Sequence, residues 1–297
     1  MQNIVNKIKK LFKPGGLEKA RNYIKILKIA FMVKRPIPFF AKISSVLNLR
    51  HLKTINKFNE NHTVLIIGAS GGIGKALFES FNIKKCFVVG TYNKTKPKLD
   101  LHSERLYKLD LTSEDDINNF YNYFQNFNRK IDLIIFATGE LSKSNFSFLE
   151  SIKDSHALRD ESNDFIHSIR VNTLGPYLVC RRFVNLLNYS YKKQAPQICL
   201  LSSSIGTMTN EIYGGLYSYR ASKGALHALF MAVFCDLNLK KRVGIQIHGP
   251  GNVKTKMNPN GLLTANHVAT DIIKSLEISS KKPTFQFIGF KGKKISW

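Results

Sequence analysis

A four-residue apolar run, Val64-Leu65-Ile66-Ile67, passes directly into Gly68-Ala69-Ser70-Gly71-Gly72-Ile73-Gly74 and then into a helical pattern reaching about Phe81. A buried strand that turns at once into a helix through Gly-x-x-x-Gly-x-Gly is the loop of a dinucleotide-binding βαβ unit. Gly68 permits the tight turn, Gly72 lets the backbone approach a pyrophosphate, and Gly74 lets helix and strand pack closely. The helix start, with Ser70 and Ile73 beside it, presents unpaired N–H groups and the positive end of its dipole to the anion. The same residues also spell Gly-x-Ser-x-Gly, the strand–turn–helix of a hydrolase nucleophile elbow. That alternative gives Gly74 no role and leaves a Tyr/Lys pair further along unexplained.

The rest of the chain repeats the alternation. Strand-like runs fall at Cys86–Thr91, Leu106–Leu109, Ile131–Ala137, Gln197–Leu201, Val243–Ile247 and Thr284–Phe290. Helical patterns lie between them, at 112–127 behind a Thr112-Ser113-Glu114-Asp115 capping signal, at 164–188, 218–239 and 265–276. Strands alternating with helices predict an α/β fold, a Rossmann-type doubly wound parallel sheet of about seven strands. No repeat or Pro-rich linker divides residues 61–297, which read as one domain.

Charge marks off what precedes it. The 297 residues carry 45 Lys+Arg against 20 Asp+Glu, a formal charge of +25. Residues 1–60 hold 14 Lys/Arg and only Glu18 and Glu60 as acids, so +12 falls in one fifth of the chain. Within them Tyr23–Val33 reads as a basic amphipathic helix ending at Arg35-Pro36. It suits three roles: lying on an anionic membrane, contacting RNA phosphates, or directing import into a mitochondrion or another organelle. Without such a role the cytoplasm is the expected place. A secretory signal fits poorly, because lysines interrupt every apolar stretch there. The remaining charge is spread through a chain rich in Lys, Asn, Ile and Phe, as an A+T-rich genome would produce. Cys86, Cys180, Cys199 and Cys235 form no C-x-x-C pair, which excludes a disulfide scaffold or zinc ribbon and suits a reducing compartment. Dispersed histidines give no support to a metal site.

The chemistry sits later. Tyr219-Arg220-Ala221-Ser222-Lys223 opens a long helical stretch, and a spacing of four puts phenol and ammonium on one face. A cation beside a phenol favours the phenolate and makes it a proton donor or acceptor for a hydroxyl–carbonyl interconversion. Upstream, Leu200-Leu201-Ser202-Ser203-Ser204-Ile205-Gly206 leaves a strand with hydroxyls at the edge where open α/β sheets bind ligands.

Together these motifs resemble the short-chain dehydrogenase/reductase family from about Thr63 to Trp297. The C-factor-like (C-signal-like) branch is suggested by Val171-Asn172-Thr173-Leu174-Gly175-Pro176, by Gly214-Gly215 before the Tyr/Lys motif, and by the closing Gly292-Lys293-Lys294-Ile295-Ser296-Trp297. The resemblance implies Tyr219 as general acid/base, Lys223 lowering its pKa and holding the nicotinamide ribose, Ser203 polarising the carbonyl, and Asn172 positioning a relay water. Ser202 and Ser204 stand close enough to compete for the serine role. Pro250-Gly251-Asn252-Val253-Lys254-Thr255 is similar to the family's nicotinamide segment, with Val253 and Thr255 at the carboxamide. Asp110 and Leu111 resemble its adenine-contacting pair. Two departures stand out: Ile67 replaces a Thr, and Phe136-Ala137-Thr138-Gly139 replaces Asn-Asn-Ala-Gly, with Ala137 and Gly139 still placed along the cofactor. At the end of the second strand, where NAD-selective members carry an acid, stand Tyr92, Asn93 and Lys94. A 2′-phosphate would meet no repulsion there, so NADP(H) is expected over NAD(H).

The expected function is an NAD(P)H-dependent oxidoreductase acting on a small carbonyl or alcohol, its substrate set by the segments after Gly139 and around 252–268. Met208, Ile212, Tyr213 and Leu216 are candidate lining residues in a loop at 207–217. Association into a homo-oligomer is compatible with this reading. The rival is a fold of this family kept as a non-catalytic subunit, docked by its basic arm in an organellar ribonucleoprotein or membrane complex.

Overall fold

In the computed structural model, the described residues are 53–55, 57–97, 103–141, 155–190, 195–209, 214–240, 242–280 and 283–297. The basic helix read at Tyr23–Val33 lies outside them. One compact unit runs from Leu52 to Trp297. Lys53–Ile55 and Phe58 therefore pack with it, although the run of positive charge to Glu60 assigns them to the extension.

The elements follow in order. A short strand β1 (Lys53–Ile55) precedes β2 (Thr63–Ile67), α1 (Gly72–Ile83), β3 (Phe87–Tyr92), β4 (Leu106–Lys108) and α2 (Glu114–Gln125). Then come β5 (Leu133–Phe136), α3 (Ser155–Ile169), a π turn (Arg170–Leu174), α4 (Gly175–Phe183), β6 (Gln197–Leu201) and α5 (Tyr217–Lys240). The chain ends with β7 (Gly244–Gly249), α6 (Ala265–Glu277), β8 (Ile278–Ser280) and β9 (Phe285–Gly289). Seven strands form one sheet in the order β4-β3-β2-β5-β6-β7-β9, every pair parallel. The doubly wound sheet expected from the sequence is therefore the fold. Its strand order reverses between β2 and β5, which opens a crevice at the carboxyl ends of those strands.

The core obeys the period of two. Val64 and Ile66 face a cluster with Leu77, Phe78 and Phe81 of α1 and Ile272 and Leu276 of α6. Leu65 and Ile67 face the other way, into Phe120 and Phe124 of α2, Phe183 of α4 and Phe230 of α5. Each such buried side chain contributes about 1.5–3 kcal/mol relative to exposure, so strands apolar on both faces are held by helices on both faces. Ser113 caps α2 by accepting from Asp116 N, with Glu114, Asp115 and Asp116 in the first turn complementing the dipole.

Two features depart from the expected pattern. The single helix at 164–188 is instead α3, the π turn, α4 and a short 3-10 turn at Val184–Leu186. Pro176 explains the break, since it has no N–H to give to the carbonyl of Asn172 four residues back. A second, two-stranded sheet pairs β1 with β8 antiparallel, Lys53 against Ser280. The segments Lys-Thr-Ile and Ile-Ser-Ser each carry a single apolar residue, too little to stand out as strands. Among the described residues no helix is long and apolar enough to cross a membrane.

Candidate active site

Register assembles the site at the carboxyl edge. Ile67 pairs with Phe136, and Ala137 N donates to Ile67 O at 2.8 Å, so the glycine loop and the Ala137–Gly139 segment leave the sheet side by side. Gly72 has φ +51, a conformation natural to glycine. A methyl group on Gly74 would collide with the backbone carbonyl of Gly68, so helix α1 packs directly on the end of β2. Gly71 precedes α1 without a side-chain cap, and the first turn holds no acid, which leaves a helix start suited to an anion. Ser70 is exposed and Ile73 half-buried at its rim. Thr255 Cγ2 would lie 3.0 Å from a β-carbon at Gly72, so the Pro250–Thr255 segment reaches the same loop.

Replacement of the family's Thr by Ile67 is answered from the neighbouring strand. Gly68 N donates to Thr91 Oγ1 at 3.0 Å and Ala69 N to Thr91 O at 2.7 Å. The sequence offered one signal for it, a lone hydroxyl in an otherwise apolar strand. Beside this brace the buried Thr138 hydroxyl has no protein partner. A cradle shaped by glycines, a bare helix start and an orphaned hydroxyl fit a bound dinucleotide.

Further along the edge, the Asp110 carboxylate accepts from Thr112 N and Thr112 Oγ1, each at 2.8 Å. Burial opposes its ionisation, but these bonds, the neighbouring His167 and an Asn93 contact together hold it below the usual carboxylate range. Leu111 is buried beside it. Lys94 is exposed just past β3, two residues after Tyr92.

The reactive groups converge where α5 begins. Lys223 is 2% exposed, its Nζ 5.5 Å from the centre of the Tyr219 ring and 3.3 Å from Leu201 O at the end of β6. Burial pulls its pKa down from 10.5 to about 8. A β-carbon on Gly139 would lie 3.4 Å from Lys223 Nζ and 3.8 Å from Asn172 Oδ1, which places these three residues together. The π turn points Asn172 inward. Its Oδ1 accepts from Glu140 N at 2.8 Å, while Nδ2 donates to Glu140 O at 2.9 Å and to Ser222 Oγ at 3.0 Å. Ser222 in turn donates to Tyr219 O at 2.8 Å, and Thr173 Oγ1 to Ser222 O at 2.7 Å. Asn172 thus ties the segment that follows β5 to the second turn of α5.

Of the three serines, Ser202 is buried and lies 2.7 Å from His227 Nε2, whereas Ser203 is half-buried and accepts from Ile205 N at 3.3 Å. Leu201 pairs with His248, so this loop runs beside Pro250 and Gly251. Val253 is buried and bridges to Leu263. Sequence reasoning missed Thr91, Thr173, Ser222, His227 and the pair of Glu140 Oε2 with His167 Nε2 at 2.6 Å. Of the expected lining residues, Met208 is 96% exposed, Leu216 is half-buried, and Ile212 and Tyr213 lie outside the described residues. Met257, 4.0 Å from where a Gly139 β-carbon would be, lies nearer the reactive groups.

A nucleotide cradle at the strand-order reversal, next to a Tyr/Lys/Asn/Ser cluster on the same edge, defines a nicotinamide-type oxidoreductase architecture. The model of the short chain dehydrogenase family matches residues 62–264, and the chain belongs to that family. Among curated relatives, 1-hydroxy-2-glutathionyl-2-methyl-3-butene dehydrogenase of Rhodococcus sp. (strain AD45) is 26% identical over 134 residues, 43% of this chain and 57% of that protein. The C-signal protein of Myxococcus xanthus is 24% identical over 135 residues, 45% of this chain and 79% of its own length. Among solved structures, a short-chain dehydrogenase/reductase from Burkholderia multivorans with bound NADP superposes with TM-score 0.67 at 22% identity, covering 80% of this chain and 99% of that one. The carbonyl reductase Sniffer of D. melanogaster gives 0.65 at 17% identity, with 80% and 99% covered.

Proposed function

We propose that this protein is an NADP(H)-preferring oxidoreductase that interconverts a carbonyl and an alcohol. The observation that carries the reading is the juxtaposition of Lys223 Nζ, the Tyr219 ring and Asn172 beside Gly139. A bound nicotinamide would supply or accept the hydride at the carbonyl carbon. The protein's share is positional and protonic. Tyr219 gives a proton to, or takes one from, the substrate oxygen. Lys223 stabilises the phenolate and holds the ribose, and Ser203 donates to the carbonyl oxygen. Asn172 anchors the segment at Glu140 along which a relay water would sit.

The cofactor would rest on Gly68, Ser70, Gly72, Ile73 and Gly74 at its pyrophosphate, Asp110 and Leu111 at its adenine, Ala137 and Gly139 along its ribose, and Pro250, Gly251, Val253 and Thr255 at its carboxamide. Preference for the 2′-phosphate rests on exposed Lys94 and the absence of an acid at Tyr92. NADP bound to the Burkholderia protein and NADPH bound to BdcA, a neighbour at TM-score 0.60, support it.

Titrating the purified protein with NADPH and NADH, then repeating with Tyr219→Phe, tests the reading. Tight NADPH binding by both proteins is expected, with turnover of a carbonyl panel by wild type alone. Binding of neither nucleotide overturns it.

A docking role for residues 1–60 is carried by their +12 charge. Removing residues 1–51, which leaves β1 and Phe58 in place, should leave NADPH affinity unchanged while abolishing salt-sensitive binding to RNA or anionic vesicles; retained binding would remove the arm from consideration.

A further inference from the structure

His227 stands one step of four beyond Lys223 and two beyond Tyr219 along α5, on the same helical face. It is 5% exposed, and its side chain meets one loop at two points. Nε2 lies 2.7 Å from Ser202 Oγ, and the ring packs directly on Gly206, where a β-carbon would stand 2.9 Å from its Cε1. The neutral ring completes one hydrogen bond, at Nε2, with the Ser202 hydroxyl. Ser203 lies between those two anchor points. A third tie comes one residue past Tyr219, where Arg220 Nη1 donates to Ile205 O at 3.0 Å.

We propose that His227 is a positioning residue: by gripping Ser202 and Gly206 on either side of Ser203, it fixes the hydroxyl that Ser203 presents to the substrate carbonyl. This rests on the oxidoreductase reading above. The ring's hydrogen bond to Ser202 and its close contact with Gly206 both fall on the loop that carries Ser203. Burial, and after it Lys223 nearby, hold its pKa down to about 4, so the ring stays neutral and able to accept at working pH. Phe287 at 4.9 Å and Trp297 at 5.5 Å pack around it, so an aromatic replacement can keep the shape while losing the hydrogen bond to Ser202.

The test uses the full chain and three variants, His227→Phe, His227→Asn and Ser202→Ala. Three quantities are read: NADPH affinity, kcat and KM over a carbonyl panel, and amide hydrogen exchange at Ile205, Gly206 and Thr207. His227→Phe should lower kcat about 10- to 100-fold, since small displacements of a reacting group carry effects of that size. NADPH affinity should stay within about twofold, and exchange at the three amides should quicken. His227→Asn, which keeps a polar group towards Ser202, should recover part of both losses. Ser202→Ala should act in the same direction, and it decides the matter if His227→Phe does not fold. Wild-type exchange at the loop, or undiminished kcat, in both His227→Phe and Ser202→Ala overturns the proposal. Failure of the wild type to bind either nucleotide would instead overturn the oxidoreductase reading, and the exchange data would still decide whether His227 grips the loop.

Discussion

Lys223 Nζ stands 5.5 Å from the centre of the Tyr219 ring and reaches past it to the carbonyl of Leu201, 3.3 Å away. The ammonium is held at the meeting of helix and sheet rather than in solvent. Between about pH 8 and 10.5 the unfolded chain binds the Lys223 proton more tightly than the folded chain, so this site's contribution to stability rises with pH across that window. Lys223→Met should therefore be more stable than wild type at pH 7, by on the order of 2–3 kcal/mol, while losing turnover. The gap should close towards pH 10.5. Urea midpoints of the two proteins at pH 7 and pH 10 check this; an unchanged gap contradicts it.

His227 and His248 act with the same sign at lower pH. Burial lowers both from 6.5 to about 4, and His248 Nε2 pairs with Gln246 Oε1 at 3.0 Å. Stability from these neutral rings is complete above pH 6.5 and declines as pH falls towards 4, because the unfolded chain takes up protons the folded one refuses. Replacing one of them, as His248→Gln, should make stability less steep by about 1.4 kcal/mol per pH unit inside that window. Denaturant titrations at pH 7, 6 and 5 would show it, and an unaltered slope would count against buried neutral rings.

The glycine loop separates two neighbouring positions. Gly71 has φ −171 and nothing within 4 Å of where a β-carbon would stand, whereas a methyl on Gly74 meets the Gly68 carbonyl. Gly71→Ala should leave melting temperature and NADPH affinity close to wild type. Gly74→Ala should destabilise by about 2–3 kcal/mol and abolish nucleotide binding. Equal effects of the two would mean the close packing of α1 on β2 does not matter.

Cofactor choice turns on the end of β3. Lys94→Glu should weaken NADPH by about 10- to 100-fold and leave NADH nearly unchanged, as parallel titrations would reveal. Loss of both nucleotides alike would place Lys94 outside the 2′-phosphate site.

Much of the fold was legible because its signals are short-range. All seven strands of the main sheet appear as apolar runs within a residue or two of their observed limits, and the glycine loop and Tyr219/Lys223 spacing carry their chemistry locally. The pairing of Lys53 with Ser280 was not legible, because each of the two strands carries a single apolar residue and they lie far apart in the chain. The break of one expected helix into α3, a π turn and α4 had a cue in Pro176, but its consequence, Asn172 aimed at Glu140 and Ser222, depends on helix packing.

By itself, then, the sequence determined a parallel sheet with helices on both faces, a dinucleotide loop on one strand and a Tyr/Lys pair on one helix. Local apolar periodicity and fixed helical spacing suffice for that. Tertiary structure alone decided what braces these parts: Thr91 under Gly68 from 23 residues away, Ser222 beneath Asn172 from 50, and His227 against Ser202 from 25. Such partners are chosen when strands align and helices dock, by which polar groups must be satisfied once water is gone, and no pattern within a few residues records that choice.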